Sequence, residues 1–433
     1  MTVVELCDPP DGWEALPLPA MHVVEQRFAA PPPVDAAAEV ERQWGAAWGG
    51  VALPPGSSVA VGVGSRGIDG LPEVVGAVVA RLREAGCRPF IVSAMGSHGN
   101  ATAAGQAAVL AERGITETSV GAPVRASVDV VSLGAADGLP LFVDREAAAA
   151  DGIVLVNRVK PHTDFVGRVE SGLTKMLVIG LGNEAGATAC HRHALERGLA
   201  DVVTTAGRAL LERAPVLLGV ALVENQRHRT CAVRVLPASH WGEVEPELLD
   251  YARTLLPRLP IDDIDVLLVD EMGKDVSGAG MDPNVTGRST GVWTEPRGSP
   301  RITRIVVRSL TEATEGNACG LGSVDMAPRR LTAAVDLAAS ATNALASCAP
   351  EDGKLPLTFA SDHQALAAAL MTLRPYTLDD LRLVHIRDTL AMARIEVSPG
   401  CLVRLRADAD VIVAPEPAPL AFDGEGALVS RLT

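Results

Sequence analysis

The chain has 433 residues, a formal net charge of −15 at pH 7, and 48% hydrophobic but only 3% aromatic residues. This composition is typical of packed interiors built from Ala, Val and Leu, and it is unlike that of disordered chains. Because binding of phosphate chains requires a concentrated basic surface, the negative charge excludes nucleic acid as a partner.

The sequence carries no sign of export or membrane insertion. Its first residues, MTVVELCDPPDGW, lack the basic start and apolar segment of a signal peptide, and no run approaches the ~20 apolar residues that cross a bilayer. The seven cysteines include no C-x-x-C pair, and their odd number does not favour a disulfide framework. We therefore expect a cytoplasmic protein without a membrane partner.

Strand and helix patterns alternate along the chain after a lead-in over 1–55 that is rich in proline and alanine and contains one helix near 35–48. Apolar runs predict strands at 58–63, 88–94, 128–133, 152–156, 216–223, 264–270 and 302–310. Helices are predicted at 71–85, 101–113, 194–213, 331–345 and 363–373. Strands that alternate with helices of this length form largely parallel sheets covered by helices on both faces.

The length of the chain favours two domains. The pattern is interrupted at Pro257 and Pro260, so we predict an N-terminal α/β domain over 1–260 and a C-terminal α/β domain over 261–433. The expected fold class is therefore α/β, with the active site in the crevice between the domains.

Polar residues follow three of the predicted strands. Arg66 follows the first strand, His98 the second, and His162 the apolar run 152–156. Because the carboxyl ends of parallel strands meet at one edge of a sheet, we expect these three side chains to converge. An arginine there can bind a carboxylate with two hydrogen bonds, and histidines can exchange protons near neutral pH.

A glycine pattern overlaps the first of these turns. Gly62, Gly64 and Gly67 form a G-x-G-x-x-G between a strand and a helix, which is typical of dinucleotide binding. Such folds also place an acidic residue at the end of the next strand. This chain has no carboxylate there, so the glycines alone are weak evidence for NAD.

Histidine is rare, with nine in the chain, yet three lie between residues 162 and 193 together with a lysine. The segments read Pro161-His162-Thr163-Asp164-Phe165-Val166-Gly167, then Glu170-Ser171-Gly172-Leu173-Thr174-Lys175, and then Cys190-His191-Arg192-His193. They combine a proton carrier, an amine and a candidate metal ligand directly after a buried strand.

These segments resemble the nickel-pincer lactate racemase family of 2-hydroxy-acid racemases and epimerases. The first is similar to the family's P-H-x-x-F-x-G segment, and the second to its small-residue run ending in lysine. Gly96-Ser97-His98 is similar to its G-[TS]-H turn, and His191 occupies the position of its nickel-binding histidine. The resemblance covers most of the chain and is strongest over 58–195.

The resemblance implies a role for each matching residue. Lys175 would hold a nickel-pincer nucleotide, a pyridinium-3-thioamide-5-thiocarboxylic acid mononucleotide, through a thioamide, and His191 would bind the Ni²⁺. His98 and His162 would be the acid/base pair, and Arg66 would bind the carboxylate of a 2-hydroxy acid. Further cofactor contacts are expected from Thr163, Asp164, Gly172 and Arg288. Cofactor-synthesis enzymes are the expected protein partners.

Departures from the family pattern concern the substrate. Lactate-active members carry Asp-x-x-Arg at the first strand end, whereas Val63 stands in the Asp position here. The run from Asp282 to Arg288 lacks the Tyr-Gln that follows Asp-x-Asn in those members, and Arg288 could supply the missing cation. These changes favour another 2-hydroxy acid, such as malate.

Alternatives remain open from the sequence. His193 is a second candidate for the nickel ligand, while His22, His228, His240, His363 and His385 are expected to be surface or packing residues. The chain could instead be an NAD-dependent oxidoreductase that uses the Gly62–Gly67 loop. It could also be a non-enzymatic protein that binds an organic acid.

Overall fold

A computed structural model describes residues 6–28, 30–291 and 297–432. Within these ranges the strands are β1 (Ala20–Gln26), β2 (Ser58–Val63), β3 (Arg88–Ser93), β4 (Val130–Ala136), β5 (Leu139–Asp144), β6 (Gly152–Arg158), β7 (Val216–Glu224), β8 (Thr230–Pro237), β9 (Asp263–Met272), β10 (Arg301–Leu310), β11 (Met326–Pro328), β12 (Leu357–Phe359), β13 (Leu383–Ile386), β14 (Arg394–Val397), β15 (Val411–Val413) and β16 (Ala418–Pro419).

The helices within the same ranges are α1 (Ala36–Trp48), α2 (Leu71–Glu84), α3 (Ala103–Glu112), α4 (Glu117–Val120), α5 (Arg145–Ala148), α6 (Leu173–Lys175), α7 (Asn183–Arg197), α8 (Leu199–Arg213), α9 (Trp241–Thr254), α10 (Pro283–Thr286), α11 (Arg329–Ala333), α12 (Leu337–Ala346), α13 (Asp362–Met371) and α14 (Pro399–Leu402). A π-helical turn, Met176–Gly180, continues α6. None of these helices is long and apolar enough to cross a membrane.

The chain forms two compact units, one of residues 30–256 and one of residues 6–28 with 257–432. This corrects the expected domain of residues 1–260, because its first part belongs to the other unit. Strand β1, which the sequence pattern did not predict, pairs antiparallel with β14 and β15. Those backbone hydrogen bonds tie residues 6–28 to the C-terminal half of the chain.

The unit of residues 30–256 contains a five-stranded sheet in the order β3-β2-β6-β7-β8. Its first four strands are parallel, and β8 closes the edge antiparallel to β7. Since β3 lies on one side of β2 and β6 on the other, the strand order reverses between β2 and β6. In open α/β sheets this switch point is where ligands bind, at the carboxyl ends of the strands.

The other unit contains a nine-stranded sheet in the order β12-β11-β10-β9-β13-β14-β1-β15, with β16 paired to β1. The strands from β12 to β13 are parallel, and those beyond are antiparallel. Both sheets are flanked by helices, so the predicted α/β class with largely parallel sheets is confirmed.

Three predicted elements differ in the structure, and one of them is the helix expected over 331–345, which is the two helices α11 and α12. The run 128–133 was expected as a buried strand of a parallel sheet, but β4 forms a partly exposed antiparallel pair with β5. The single helix expected over 194–213 is two helices, α7 and α8, which break at Gly198. Gly198 has a φ of 76°, a left-handed conformation that favours glycine and cannot continue an α-helix.

His385 is not the surface or packing residue that the sequence suggested. It is fully buried on β13, and its ring nitrogens lie 2.8 Å from carboxylate oxygens of Asp270 and Glu396. Asp270 also pairs with Arg308, whose Nε lies 2.9 Å from Asp362. Since carboxylates only accept, both ring nitrogens must donate, which makes His385 an imidazolium within a buried charge network.

Candidate active site

Three candidate residues follow neighbouring strands at one edge of the five-stranded sheet. Val63, the last residue of β2, is in register with Ser93 of β3 and with Val156 of β6. The strands β2 and β3 therefore end at the same level, and β6 ends two residues later, at Arg158. Arg66, His98 and His162 each lie in the turn that follows one of them. The switch point between β2 and β6 falls between Arg66 and His162.

Arg66 is a cation without a counter-ion in the part of the chain that the structure describes. Its side chain reaches solvent, yet desolvation by the surrounding protein and the charges of Arg158 and Arg113 lower the pKa of its guanidinium, while Asp164 raises it. Arg158 is itself paired with Glu224. The N–H groups of Arg66 can therefore donate two hydrogen bonds to a carboxylate, in the bidentate manner typical of arginine.

His98 is exposed and is held by a residue of the neighbouring turn. Its Nδ1 lies 2.7 Å from Oγ of Ser65, and the carbonyl oxygen of Ser65 accepts a hydrogen bond of 3.1 Å from Nε of Arg113. These contacts connect the β2 turn to the β3 turn. They orient the imidazole, with Nε2 as the nitrogen farther from Ser65.

His162 is buried in a tightly bonded loop. Its Nδ1 accepts a 3.0 Å hydrogen bond from the backbone N–H of Asp164, and its ring lies 4.5 Å from that of Phe165, centroid to centroid. Because Nδ1 acts as an acceptor, the proton of the neutral imidazole lies on Nε2. The backbone of His162 is held by Glu170, whose Oε2 accepts its N–H at 2.6 Å.

Lys175 ends the short helix α6 and has no hydrogen bond or ion pair among the described residues. Desolvation lowers the pKa of its amine to about 8; Asp164 opposes this, whereas Arg66 and Lys160 add to it. At neutral pH a larger fraction of the amine is therefore unprotonated than for an ordinary lysine, which suits covalent attachment. Because Asp164 acts on the pKa of both Arg66 and Lys175, these three side chains lie close together in one site.

His191 lies on α7 next to Cys190, whose thiol is close enough to Lys175 for their charges to interact. Burial raises the pKa of Cys190 to about 12, so this thiol is not a thiolate near neutral pH. Among the residues that the structure describes, no group of three or more His, Cys, Asp or Glu side chains could hold a metal.

Comparison with known families identifies this region. Residues 67–201 match the family described as lactate racemase N-terminal domain. Over these residues the chain is similar to a lactate racemase N-terminal domain. The matched segment includes His98, His162, Lys175 and His191, and it begins one residue after Arg66. The resemblance that the sequence motifs predicted is therefore confirmed.

The chain is also similar to solved structures. A structural comparison finds the lactate racemase apoprotein from Thermoanaerobacterium thermosaccharolyticum, with 12% identity, 84% of each chain covered and a TM-score of 0.44. A likeness at that level carries no argument about function. A comparison with curated proteins finds no match.

The expected cofactor contacts within residues 67–201 differ in their surroundings. Thr163 is buried and Asp164 influences both Arg66 and Lys175. Gly172 is required for packing, because a Cβ at this position would overlap Oε1 of Glu245. Its place in the motif therefore needs no cofactor to explain it.

Arg288 belongs to the other unit, where both terminal nitrogens of its guanidinium are engaged. Its Nη1 donates to Asp325 at 2.6 Å and to the carbonyl of Ser323 at 3.0 Å, and its Nη2 donates to the carbonyls of Ile302 and Thr303 at 2.8 and 3.1 Å. These bonds give Arg288 a structural role, in place of the ligand contact that the sequence suggested. The argument for malate that rested on this arginine loses its basis.

The glycine pattern at the end of β2 also has a packing explanation. A Cβ at Gly62 would lie 2.5 Å from Cδ2 of Leu155, so this glycine lets β2 and β6 approach. Helix α2 begins only at Leu71, after Gly67, with Glu73 in its first turn. The glycines therefore do not lead directly into a helix N-terminus that could receive a pyrophosphate.

Four residues that support the site were not found from the sequence. They are Ser65, which contacts His98, and Glu170, Glu245 and Arg253, which hold the loops of His162 and Lys175. Glu245 is 71 residues from its partner Thr174, so no local motif signals the contact. Only the folded chain brings them together.

Proposed function

We propose that this protein is a racemase or epimerase that inverts the C2 centre of a 2-hydroxy acid, with a nickel-pincer nucleotide attached to Lys175. The observation that carries the proposal is the convergence of Arg66, His162 and Lys175 at one sheet edge, in and beside a lactate racemase N-terminal domain. The protein partners implied are the enzymes that make this nucleotide.

The residues present fit this cofactor. The amine of Lys175 has a pKa of about 8 and no competing ion pair among the described residues, so it can form the covalent attachment. His191 offers a single imidazole, which suits a nickel ion whose other ligands come from an organic group. The bound nucleotide would supply an electron-poor ring that takes up hydride from C2 of the substrate and returns it.

The remaining steps belong to the protein's own side chains. Arg66 binds the substrate carboxylate and fixes the position of C2. His98 and His162 lie in different turns, so one can take the hydroxyl proton as a neutral imidazole and the other, as an imidazolium, can return a proton to the same oxygen when hydride returns to C2. His162 presents an Nε2–H when neutral, which can hydrogen-bond to the substrate oxygen, and positioned acid/base groups of this kind contribute about 10²–10⁴ in rate.

The proposal is tested with protein produced together with the cofactor-synthesis enzymes. Single enantiomers of several 2-hydroxy acids, deuterated at C2, are incubated in ordinary water and separated by chiral chromatography. We expect the opposite enantiomer to form and to keep its deuterium, because hydride transfer does not exchange this hydrogen with solvent. Loss of deuterium during inversion would contradict the mechanism.

Variants separate the proposed enzyme from the alternatives. His98→Ala and His162→Ala should each lower turnover by about 10²-fold or more while substrate affinity changes little. A non-enzymatic binding protein would show no turnover in any variant and would keep its affinity. An NAD-dependent oxidoreductase would bind NAD and produce a 2-keto acid instead of the opposite enantiomer.

A further inference from the structure

A buried carboxylate lies beneath the turn that carries Lys175. Glu245 on α9 is 1% exposed, and both of its oxygens lie 3.2 Å from the backbone nitrogen of Thr174. The hydroxyl of Thr174 donates to Oε2 at 2.5 Å. Within the described residues Glu245 has no cationic partner, and burial raises its pKa to about 7 despite these bonds. Burying such a group costs free energy that the fold must recover elsewhere.

The same turn is fixed on its other sides. Leu173 is fully buried, and a Cβ at Gly219 would overlap it, so β7 passes directly against this side chain. The carbonyl of Gly172 accepts a 2.7 Å hydrogen bond from Nδ2 of Asn157 at the end of β6. The segment directly before Lys175 is therefore held by β6, β7 and α9.

Helix α9 also holds the loop that carries His162. Nη2 of Arg253, near the C-terminal end of the helix, donates to Oε1 of Glu170 at 2.6 Å and to the carbonyl of Gly167 at 2.7 Å. Glu170 is 2% exposed, and it accepts the backbone N–H groups of His162 at 2.6 Å and Gly167 at 3.0 Å. Arg253 therefore neutralises the carboxylate of Glu170, which holds this loop by its backbone N–H groups.

We propose that α9 is the positioning element of the site: Glu245 fixes the turn of Lys175, and Arg253, through Glu170, fixes the loop of His162. A single rigid helix would then set the distance between the amine and the acid/base group. The roles of these two groups rest on the proposed function. Sites of this kind require their groups to be held within ~0.5 Å, which packing and hydrogen bonds to supporting residues achieve.

Lysine labelling tests the first half of the proposal without cofactor or substrate. The chain has four lysines, Lys160, Lys175, Lys274 and Lys354, so modification by an amine reagent can be followed for each by peptide mass spectrometry over a range of pH. In the unaltered protein the amine of Lys175 should titrate with a pKa of about 8. The charges that act on it are chiefly those of Asp164, Arg66, Lys160 and Cys190, so a shift after a change at Glu245 reports a displaced amine.

In Glu245→Gln one of the two acceptor oxygens becomes an NH₂ donor, so the N–H and the hydroxyl of Thr174 compete for the remaining oxygen, and the turn should loosen. We expect the apparent pKa of Lys175 to rise towards 10.5 as the amine moves into water. A rise of one unit would slow labelling at pH 8 about fivefold. Glu247→Gln is the matched control, because it changes an exposed residue of the same helix, and it should leave the titration of Lys175 unchanged.

Hydrogen exchange on the same cofactor-free protein tests the second half of the proposal, which is that Arg253 fixes the loop of His162 through Glu170. In Arg253→Gln the amides of residues 162–167 should exchange at least about tenfold faster, because Glu170 loses its cation. Amides of 173–177 should be affected by Glu245→Gln and not by Arg253→Gln. Arg253→Lys keeps the charge and should restore part of the protection.

The proposal is overturned if folded Glu245→Gln titrates at Lys175 like the unaltered protein, or if exchange accelerates equally across the whole unit in either variant. Should Glu245→Gln not fold, Thr174→Val removes only the hydroxyl donor, and an unchanged titration of Lys175 in that variant would overturn it as well. These readouts need no nucleotide. Absence of a cofactor adduct would therefore refute the proposed function and leave the positioning role of α9 standing.

Discussion

A single methyl group added at Gly172 should weaken the site by displacing Glu245. A Cβ there would overlap Oε1 of Glu245, and it would lie 3.0 Å from its Cδ and 3.3 Å from Cγ2 of Val159. The φ of Gly172 is 175°, an extended value that alanine adopts without strain, so the whole effect comes from crowding. Overpacking of a buried position costs about 1–3 kcal/mol, and we expect Gly172→Ala to fall in this range.

A double-mutant cycle with Glu245→Ala isolates that contact. Glu245→Ala leaves the donors of Thr174 without an acceptor, which costs about 1–3 kcal/mol, but it also opens space beside residue 172. Gly172→Ala should then cost at least about 1 kcal/mol less than in the unaltered background. Hydrogen exchange of β6 and β7 amides measures the free energy of opening of this unit. Strictly additive costs would refute the assignment of Gly172 to packing.

Three further outcomes are expected. Arg66→Gln should raise the apparent pKa of Lys175 above about 8, because a cation that lowers it is removed; amine labelling against pH measures this, and a fall would be inconsistent with the electrostatics. Ser65→Ala removes the 2.7 Å contact with His98 and should lower kcat about tenfold with little change in KM, in steady-state assays of the loaded enzyme. Burial alone would raise the pKa of Asp270, but its charged and hydrogen-bonding neighbours hold it at about 2, below 3.8. The ionised Asp270 therefore stabilises the fold by roughly 2 kcal/mol above pH 3.8, and this stabilisation is lost as the pH falls through 2. In Asp270→Asn the free energy of unfolding, measured with urea, should fall less steeply over this pH range.

The local patterns were sufficient for the elements that form the site. The β2 strand spans the predicted 58–63, and the turns of Arg66, His98 and His162 follow parallel neighbours as their order in the sequence suggested. These predictions succeeded because buried parallel strands are short apolar runs, which the sequence displays directly. The glycine and histidine turns at their ends are local as well.

Contacts between distant segments could not be predicted in this way. Strand β1 is recognisable only once β14 and β15 are present to pair with it. His385 gave no motif, since its partners Asp270 and Glu396 come from different strands. The sequence suggested that Arg288 could contact a ligand, because the backbone carbonyl oxygens that accept its hydrogen bonds have no sequence signature. Burial and pairing of this kind are properties of the fold.

The attachment of a nickel-pincer nucleotide to Lys175 is tested most directly by intact mass together with metal analysis. The protein is produced with the cofactor-synthesis enzymes, alongside Lys175→Ala and the exposed control Lys354→Ala. We predict an adduct of several hundred daltons and about one nickel ion per chain in the unaltered protein and in Lys354→Ala, and neither in Lys175→Ala. An unaltered protein without adduct or nickel under these conditions, or an adduct that persists in Lys175→Ala, would contradict the account.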